Sequence, residues 1–536
     1  MRATTAGEGP DGIASAKPPV KRGVSRRQFI YGAGGLVGLG LAGLGGYEWP
    51  HKSPLVGPTP VTGAASTGQK VPGSADVYSF VTAPDLQPQV VQITHYLPST
   101  GQSSSPRFIF LATKGYYGPA PGQPGLMIVD RAGRLIWFQP AIGVAPFDFN
   151  AQDLDGKPVL TWWEGGVSDG YGRGQAQIAG TSYNVTRTVD AGAGLMADLH
   201  EFNLTKAGTA LLTAYEVVTT DLSAIGGPQK GTVLAGHAQE IDLRTGKVLF
   251  DWDSLDHVGV DESYRSVAGQ GGAADPFDYF HINSIAETAD GNLLISARNT
   301  WALYKVDRGT GEVLWRLNGK KSDFTMGTGA HFYWQHDARE VGAGAITLFD
   351  DGASPTEETQ SRGLLLAVDT KAMHVGLAHA YVHPARFLAA NQGSAQLLAD
   401  GRMFVGWGNQ PYFSEFAPDG TLLLDGQLPL NIQSYRAFTH DWPGAPAGAP
   451  SLAVVRNPAD GVFVYASWNG ATEIDTWDVL AGDHGSSLEL VGTQGWTGFE
   501  TSIAINSAGP YFAAVALDKT GKQLGRSAVV GVNAGA

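Results

Sequence analysis

The segments FHINSIAETADGNLLISARNT (280–300) and LYKVDRGTGEVLWRL (303–317) carry the pattern from which the fold is predicted. In each, an apolar run reaches a turn that contains glycine, Gly291 or Gly311, and a second apolar run returns. This pattern predicts two consecutive β-hairpins. Two hairpins in succession make a four-stranded antiparallel sheet, so the pattern predicts a repeating all-β unit.

Both kinds of hairpin recur along the chain and alternate, with six of each. The first kind recurs at 151–165, 198–215, 335–351, 393–409 and 453–470, and the second at 127–138, 240–252, 365–378, 413–425 and 514–525. Such units arranged around an axis form a β-propeller, whose closure protects the edges of the sheets. We therefore predict a six-bladed β-propeller of four-stranded antiparallel blades over residues 76–536, with five or seven blades, or a stacked double sheet, as the alternatives. The insertions at roughly 166–197, 219–237 and 254–279 are expected to be loops over one face.

The N-terminal segment is predicted to be an export signal rather than part of the fold. Residues 25–29 read SRRQF, the form recognised by the twin-arginine export machinery, and a weakly apolar run follows to Gly46. Residues 1–50 are assigned to this signal, and residues 51–75, rich in proline, glycine and serine, to a flexible linker. The expected location is extracytoplasmic. The sequence leaves open whether the signal is removed or stays as an N-terminal membrane anchor.

Composition excludes several classes of function. The chain has 36 basic and 50 acidic residues, a net charge of -14, and no long basic run beyond the N-terminal segment. This balance argues against a nucleic acid partner. The absence of cysteine excludes disulfides, thiolate catalysis and thiolate metal sites.

Three histidines occupy equivalent positions at the start of three hairpins of the first kind: His200, His281 and His336. Equivalent positions in a radial repeat converge, and the innermost strand of each blade lines the central channel. We therefore expect the three imidazoles to face one another. The same hairpin supplies Asn283, two residues after His281, and Arg298, at the end of the returning strand.

This set of side chains favours transfer of an anionic group. A neutral imidazole is a good nucleophile toward an electrophilic phosphorus or sulfur centre, and an arginine and an amide hold the surrounding oxygens. Three histidines are also compatible with a transition metal, as in a metal-dependent propeller oxygenase or lyase. Against the metal, Arg298 would repel a divalent cation in the same pocket. A non-catalytic exported propeller that binds a ligand through its loops is the third possibility.

Longer strings resemble a known family. HINS, SAR, QHDAR, SYRAF and SWNGATE occur in that order, and from about residue 77 onward the chain resembles the arylsulfotransferases of bacteria and fungi. The resemblance implies a six-bladed propeller that transfers a sulfuryl group from an aryl sulfate ester to a phenolic acceptor, without a phosphoadenosine donor. Consistently, the sequence contains no P-loop string. No cofactor and no metal are expected.

The resemblance also implies residue roles. His336 of QHDAR would be the nucleophile that becomes transiently sulfated, with an acid–base role for the same residue as the alternative. His281, Asn283 and Arg298 would bind the sulfuryl oxygens, and His200 would assist protonation of the phenol oxygen. Asp337 is expected to pair with Arg339 rather than orient an imidazole.

Two departures from the family place this chain in a different branch from its better-understood periplasmic members, the actinobacterial and fungal type. Those members carry a cysteine pair and an extra N-terminal β domain, whereas this chain has no cysteine and little room before its first blade. Several aromatic residues could form a wall for an aryl ring but are expected to be core, so none is assigned to the site: Trp162, Trp163, Trp301, Tyr333 and Trp334.

Overall fold

The computed structural model describes residues 76–97, 106–115, 120–168, 170–342, 344–457, 461–506 and 509–532. The predicted export signal and linker, residues 1–75, lie outside this part of the chain. Within it, no helix is long and apolar enough to cross a membrane.

The predicted all-β class is confirmed, because the described chain is built of antiparallel sheets with almost no helix. Helical turns among the described residues are limited to an α-helix, α1 (Ser254–His257), and two 3-10 turns, Ser223–Ile225 and Val260–Glu262. The first twelve strands are β1 Gln92–Tyr96, β2 Phe108–Gly115, β3 Gly125–Asp130, β4 Leu135–Pro140, β5 Ala145–Leu154, β6 Lys157–Ser168, β7 Tyr171–Ala179, β8 Val185–Val189, β9 Ala197–Leu204, β10 Thr209–Thr220, β11 Gly231–Asp242 and β12 Val248–Asp253.

In the described chain, fourteen strands follow β12 up to the strand that pairs with β2. They are β13 Ile282–Glu287, β14 Leu293–Ala297, β15 Ala302–Val306, β16 Val313–Leu317, β17 Thr325–Met326, β18 His336–Glu340, β19 Ala345–Asp350, β20 Arg362–Asp369, β21 His374–Tyr381, β22 Ser394–Leu397, β23 Met403–Gly406, β24 Tyr412–Phe416, β25 Leu422–Gln427 and β26 Ile432–His440. The C-terminal strands are β27 Ser451–Arg456, β28 Val462–Ser467, β29 Thr476–His484, β30 Ser487–Gly495, β31 Glu500–Ile505, β32 Tyr511–Leu517, β33 Gln523–Arg526 and β34 Val530–Gly531.

Four consecutive strands, each paired with the next, form the recurring unit. The unit occurs as β5–β8, β9–β12, β13–β16, β18–β21 and β22–β25, and a single pair between Gly174 and Ala197 joins the first two into one sheet. Strands β2, β3 and β4 are completed by a strand from far along the chain, in the order β26-β2-β3-β4, with Phe108 opposite His440. Apolar side chains fill the space between neighbouring units, as where Ile285 and Tyr304 meet Leu211.

The C-terminal hairpins differ from the sequence expectation. The segments 453–470 and 514–525, which the pattern grouped with the alternating hairpins, lie in two further sheets, β27-β28-β31 and β30-β29-β32-β33. The two sheets share an apolar core that includes Val464, Trp477 and Phe512. Because β29 and β30 intervene between β28 and β31, the strand order is not sequential, and these hairpins do not make a four-stranded unit.

One strand at the edge of each unit contacts the corresponding strand of the next unit. We call β5, β9, β13, β18, β22 and β26 the lead strands. Each contacts the next in that order, and β26 contacts β5. All except β22 contain a break in pairing register where extra residues bulge from the ladder: residues 148–149, 198–201, 283, 337–338 and 435–436. A bulge re-aims side chains out of the regular alternation.

The bulges direct charged side chains into a buried network. Arg436 on β26 donates from Nη1 to Asp148 Oδ1 at 2.8 Å and to Glu201 Oε1 at 3.1 Å, and from Nη2 to the backbone oxygen of Asn283 at 3.0 Å. Although burial opposes the charged form, the carboxylates of Asp148 and Glu201 hold the pKa of Arg436 well above its ordinary value. This one guanidinium therefore links four lead strands.

A second arginine extends the network to the other two lead strands. Arg339 on β18 donates from Nη2 to Glu201 Oε2 and to Asp337 Oδ1, both at 2.7 Å. Asp337 Oδ2 accepts from the backbone nitrogen of Ala395 on β22 at 3.2 Å. The expected pairing of Asp337 with Arg339 is confirmed.

Arg436→Met is expected to destabilise the protein strongly, because the carboxylates of Asp148 and Glu201 would stay buried without their partner. The expected loss in free energy of unfolding is about 3–5 kcal/mol, measured by urea denaturation. Arg107→Met is the control, since Arg107 pairs with Glu473 at 2.9 Å with both side chains about half exposed, and it should cost no more than about 1 kcal/mol. Equal losses in the two variants would contradict the role given to the network.

Candidate active site

The three histidines converge as predicted. His200 lies in β9, His281 directly precedes β13, and His336 begins β18. All three side chains are buried, and one ring nitrogen from each lies within 4.8 Å of those of the other two. The rings of His200 and His281 meet edge to face, with centroids 4.8 Å apart.

Each imidazole is held by its own aspartate through Nδ1. His200 Nδ1 lies 2.6 Å from Asp198 Oδ2, His281 Nδ1 lies 2.5 Å from Asp278 Oδ2, and His336 Nδ1 lies 2.8 Å from Asp351 Oδ2. Because a hydrogen bond at one ring nitrogen fixes both the tautomer and the ring orientation, these pairs leave the three Nε2 atoms for the centre.

Sequence reasoning missed the three aspartates, although local signals point to two of them. Asp198 stands two residues before His200 and Asp278 three residues before His281. Asp351 follows β19, the strand that returns beside β18, and only the hairpin register brings it to His336. An acidic residue two or three positions before His200 and His281 was the available signal.

The electrostatics of His336 favour the neutral ring. Burial, with Arg298 as the next contribution, holds the pKa of His336 well below its ordinary value. Burial also raises the pKa of Asp351 well above the usual range for a carboxyl, against the opposing charge of Arg298. The backbone N–H of Gln392 donates to His336 Nε2 at 3.3 Å, so this nitrogen carries a lone pair and the ring proton is on Nδ1.

The other two pairs retain ionised carboxylates. Burial opposes ionisation of Asp198 and Asp278, but the adjacent imidazoles and hydrogen bonds hold the pKa of both carboxyls below the ordinary value. Asp198 also accepts from Gly172 N at 2.6 Å. Burial lowers the pKa of His281, although Asp278 opposes this shift.

Arg298 reaches the site from the end of β14, as the sequence predicted. Its backbone nitrogen donates to His281 O at 2.9 Å, and its guanidinium lies 4.8 Å from the centroid of the Trp334 ring. Burial lowers the pKa of Arg298 to about 10, so it is charged at neutral pH. The guanidinium donates to Asn299 Oδ1 and to Ala390 O, which leaves donors for an anionic ligand.

Asn283 is tied to the strand that carries His336. Its Nδ2 donates to the backbone oxygen of Gln335 at 2.6 Å, and its buried Oδ1 has no hydrogen-bond partner among the described residues. The amide nitrogen carries two hydrogens, so one donor remains. The side chain therefore positions β18 in addition to any contact with a ligand.

The five unassigned aromatic residues divide into two groups. Trp162 and Trp163 are core residues, as expected. Trp301 packs edge to face on Tyr333 at 4.9 Å and on Trp334 at 5.1 Å, beside Arg298.

The backbone is strained at the centre. His281, Trp334 and Asp337 have φ of 56°, 60° and 55°, a left-handed conformation that side chains other than glycine rarely adopt. Such strain persists where the surrounding structure holds it, and it concentrates at functional sites. The arrangement places three imidazoles beside a guanidinium, so it suits an electrophile surrounded by anionic oxygens. The same three Nε2 atoms could also hold a transition metal.

Because the pKa of His336 is held well below its ordinary value, this ring should be less protonated at pH 5.5 than an unperturbed histidine, which is about nine-tenths protonated there. The unfolded chain takes up this proton more readily than the folded chain, so this group should lower the free energy of unfolding as the pH falls below about 6.5, by at most about 1.4 kcal/mol per pH unit. Nitrogen-detected NMR of the assigned ring is the measurement. Titration of His336 like an ordinary histidine would contradict this prediction.

Among solved structures, the similarities are weak. A protein of unknown function from Bacteroides caccae is 11% identical with TM-score 0.39, over 62% of this chain and 98% of that one. A Lactobacillus plantarum protein is 16% identical with TM-score 0.34, over 74% and 98%. Virginiamycin B lyase from Staphylococcus aureus, catalytically inactive and with quinupristin, is 10% identical with TM-score 0.25, over 70% and 92%. No curated protein matches the chain.

A family match is more informative. The family described as arylsulfotransferase (ASST) matches residues 150–428, just over half of the chain. The matched segment contains His200, His281, His336, Asn283 and Arg298. The chain therefore belongs to the arylsulfotransferase family.

Proposed function

We propose that the protein moves a sulfuryl group from an aryl sulfate ester to a phenolic acceptor through a sulfated His336, with no phosphoadenosine donor and no cofactor. The observation that carries this proposal is the state of His336. Burial and Arg298 hold the pKa of its ring well below the ordinary value, its Nδ1 is bonded to Asp351, and its Nε2 accepts from the backbone N–H of Gln392 at 3.3 Å, beside the rings of His200 and His281. A positioned neutral imidazole beside a guanidinium suits attack on the sulfur of an anionic ester.

In the first half-reaction, His336 Nε2 forms a bond to sulfur and the bond from sulfur to the phenol oxygen breaks. Arg298, Asn283 and His281 hold the sulfuryl oxygens. His200, whose partner Asp198 is ionised, gives a proton to the departing oxygen. Asp351 accepts the hydrogen bond from Nδ1 and so holds the ring orientation and keeps the proton on Nδ1 while Nε2 attacks.

We also propose that the units form a six-bladed propeller. Support comes from five meanders of four strands, from the sheet that β26 completes with β2, β3 and β4, and from the succession of lead strands that returns from β26 to β5. In this arrangement the active site lies at the central channel. The proposed branch of the family is the actinobacterial and fungal type, in line with the absence of cysteine.

The expected intermediate can be observed directly. Addition of 4-nitrophenyl sulfate without acceptor should release nitrophenol in a single burst and add one sulfuryl group to the intact mass, and acid should remove that group. Subsequent addition of a phenol should yield the aryl sulfate and restore the original mass.

His336→Asn is expected to abolish both the burst and the adduct, whereas His484→Asn, in an exposed position at the end of β29, should retain both. Full transfer by His336→Asn would reject His336 as the nucleophile. Absence of turnover with every aryl sulfate tested would favour a binding protein.

The second candidate is a metal-dependent enzyme, and the three aspartate–histidine pairs favour it. A metal-bound histidine commonly uses its other ring nitrogen to donate a hydrogen bond to a carboxylate. All three histidines here have such a bond between Nδ1 and an aspartate. The positive charge of Arg298 opposes a divalent ion at the same centre. Elemental analysis of the purified protein decides: stoichiometric iron or zinc supports this candidate.

We further propose that residues 1–50 direct export by the twin-arginine machinery, so that the enzyme acts outside the cytoplasm. Arg26→Lys combined with Arg27→Lys should retain the protein in the cytoplasm of the producing cell, as measured by fractionation and immunoblotting. Arg22→Lys is the control and should leave export unchanged. Normal export of the double variant would reject this signal.

A further inference from the structure

A buried lysine lies outside the roles assigned so far. Lys114 is the penultimate residue of β2, and its Nζ is buried with no hydrogen-bond partner among the described residues. The Nζ lies 4.0 Å from the centroid of the Phe147 ring and 6.0 Å from that of Tyr435. A lysine amine is seldom buried without a paired charge. Burial of this amine is expected to lower the free energy of unfolding, and none of the described contacts compensates for that loss.

Lys114 stands on the side of the molecule that holds the active site. In the pairing of β2 with β26 it lies opposite Gln433. Gln433 Oε1 accepts from Gln392 Nε2 at 2.9 Å, and the backbone nitrogen of Gln392 is the group that donates to His336 Nε2. Gln433 and Gln392 therefore link the strand position of Lys114 to His336, through one strand pairing and two hydrogen bonds.

A second path leads from Lys114 to His200. Tyr435 packs against Phe147 with centroids 5.6 Å apart and meets the His200 ring edge to face at 5.8 Å. Its hydroxyl donates to the backbone oxygen of His200 at 3.1 Å. An amine above two aromatic rings, one of which contacts the ring of His200, has the chemistry of a site for an aryl hydroxyl group.

We propose that Lys114, Phe147 and Tyr435 form the acceptor site, in which the rings contact the aryl group and the Lys114 amine takes the proton of the attacking phenol. This inference rests on the proposed function. In the second half-reaction the phenol oxygen forms a bond to sulfur, the bond from sulfur to His336 Nε2 breaks, and its electron pair returns to that nitrogen. The hydroxyl proton moves to Lys114 Nζ and then to solvent, and His200 regains from solvent the proton that it gave in the first half-reaction.

The surroundings of Lys114 suit a base that works near neutral pH. Burial alone lowers the pKa of Lys114 to about 7. The charged groups on the strands packed against it, Asp148 of β5 and Arg436 of β26, are paired with each other at 2.8 Å. Burial raises the pKa of Tyr435 well above its ordinary value, so Tyr435 stays neutral. A base whose pKa is near the working pH is the most effective.

The experiment measures the two half-reactions separately in the full chain, with Lys114→Met and Lys114→Arg compared with Lys157→Met, an exposed lysine at the start of β6. Both Lys114 variants should form the sulfated intermediate from 4-nitrophenyl sulfate within about threefold of the normal rate. Transfer to unsubstituted phenol should fall by about 10²–10⁴-fold. Lys157→Met should change neither step.

Two further readouts separate a base from a merely structural residue. With an acceptor phenol that is already ionised at the assay pH, the loss in the Lys114 variants should disappear, because no proton needs removal. In the unaltered enzyme, transfer to phenol should rise with pH through about 7, and this rise should be absent from Lys114→Arg. Thermal unfolding should show Lys114→Met at least as stable as the unaltered protein.

Normal transfer to phenol by Lys114→Arg would overturn the inference, because arginine keeps the charge but cannot accept a proton. An equal loss in both half-reactions, or with ionised and neutral acceptors alike, would also overturn it. These outcomes are distinct from failure of the proposed function, in which the unaltered protein forms no sulfated intermediate.

Discussion

The buried charge network around Arg436 is the constraint on which the rest of the structure depends. A charge removed from water needs partners, and the partners of Arg436 and Arg339 lie on different lead strands, so the network forms only when those strands are in register. Glu201 follows His200 in the chain, and Asp337 follows His336. Fixing the carboxylates therefore fixes the imidazoles, and the fold holds its reactive groups through residues that do no chemistry themselves.

The three aspartate–histidine pairs use one geometry for different purposes. Asp198 and Asp278 stay ionised beside their imidazoles, whereas burial favours the neutral forms of both Asp351 and His336. The same local arrangement can therefore supply an acid at one position and a nucleophile at another. The difference arises from the surroundings: burial is the largest contribution at both His336 and Asp351, and Arg298 lowers the pKa of His336 further while it opposes the rise in the pKa of Asp351.

Hairpin periodicity predicted the antiparallel units and the convergence of the histidines, because both follow from local repetition. It missed β7 and β8, whose turn lacks the usual Asp-Gly signal, and it missed the pairing of β26 with β2, which joins segments with no turn between them. The alternation of apolar and polar residues could not predict the network carboxylates or Arg436, because bulges interrupt that alternation at these residues. The sequence signal that remained for these charged residues was a pair of adjacent polar residues at the equivalent position of several lead strands, as in His200-Glu201, His336-Asp337 and Tyr435-Arg436.

The pairing of β26 with β2 has a consequence for biosynthesis. While the ribosome is still translating the segments between these strands, β2 presents an unpaired edge, and such edges invite association with other chains. Lys114 near the end of this strand places a charge there, a common safeguard against aggregation. The sheet of β2, β3 and β4 is completed only after the residues of β26 have emerged, so its closure is a late step of synthesis.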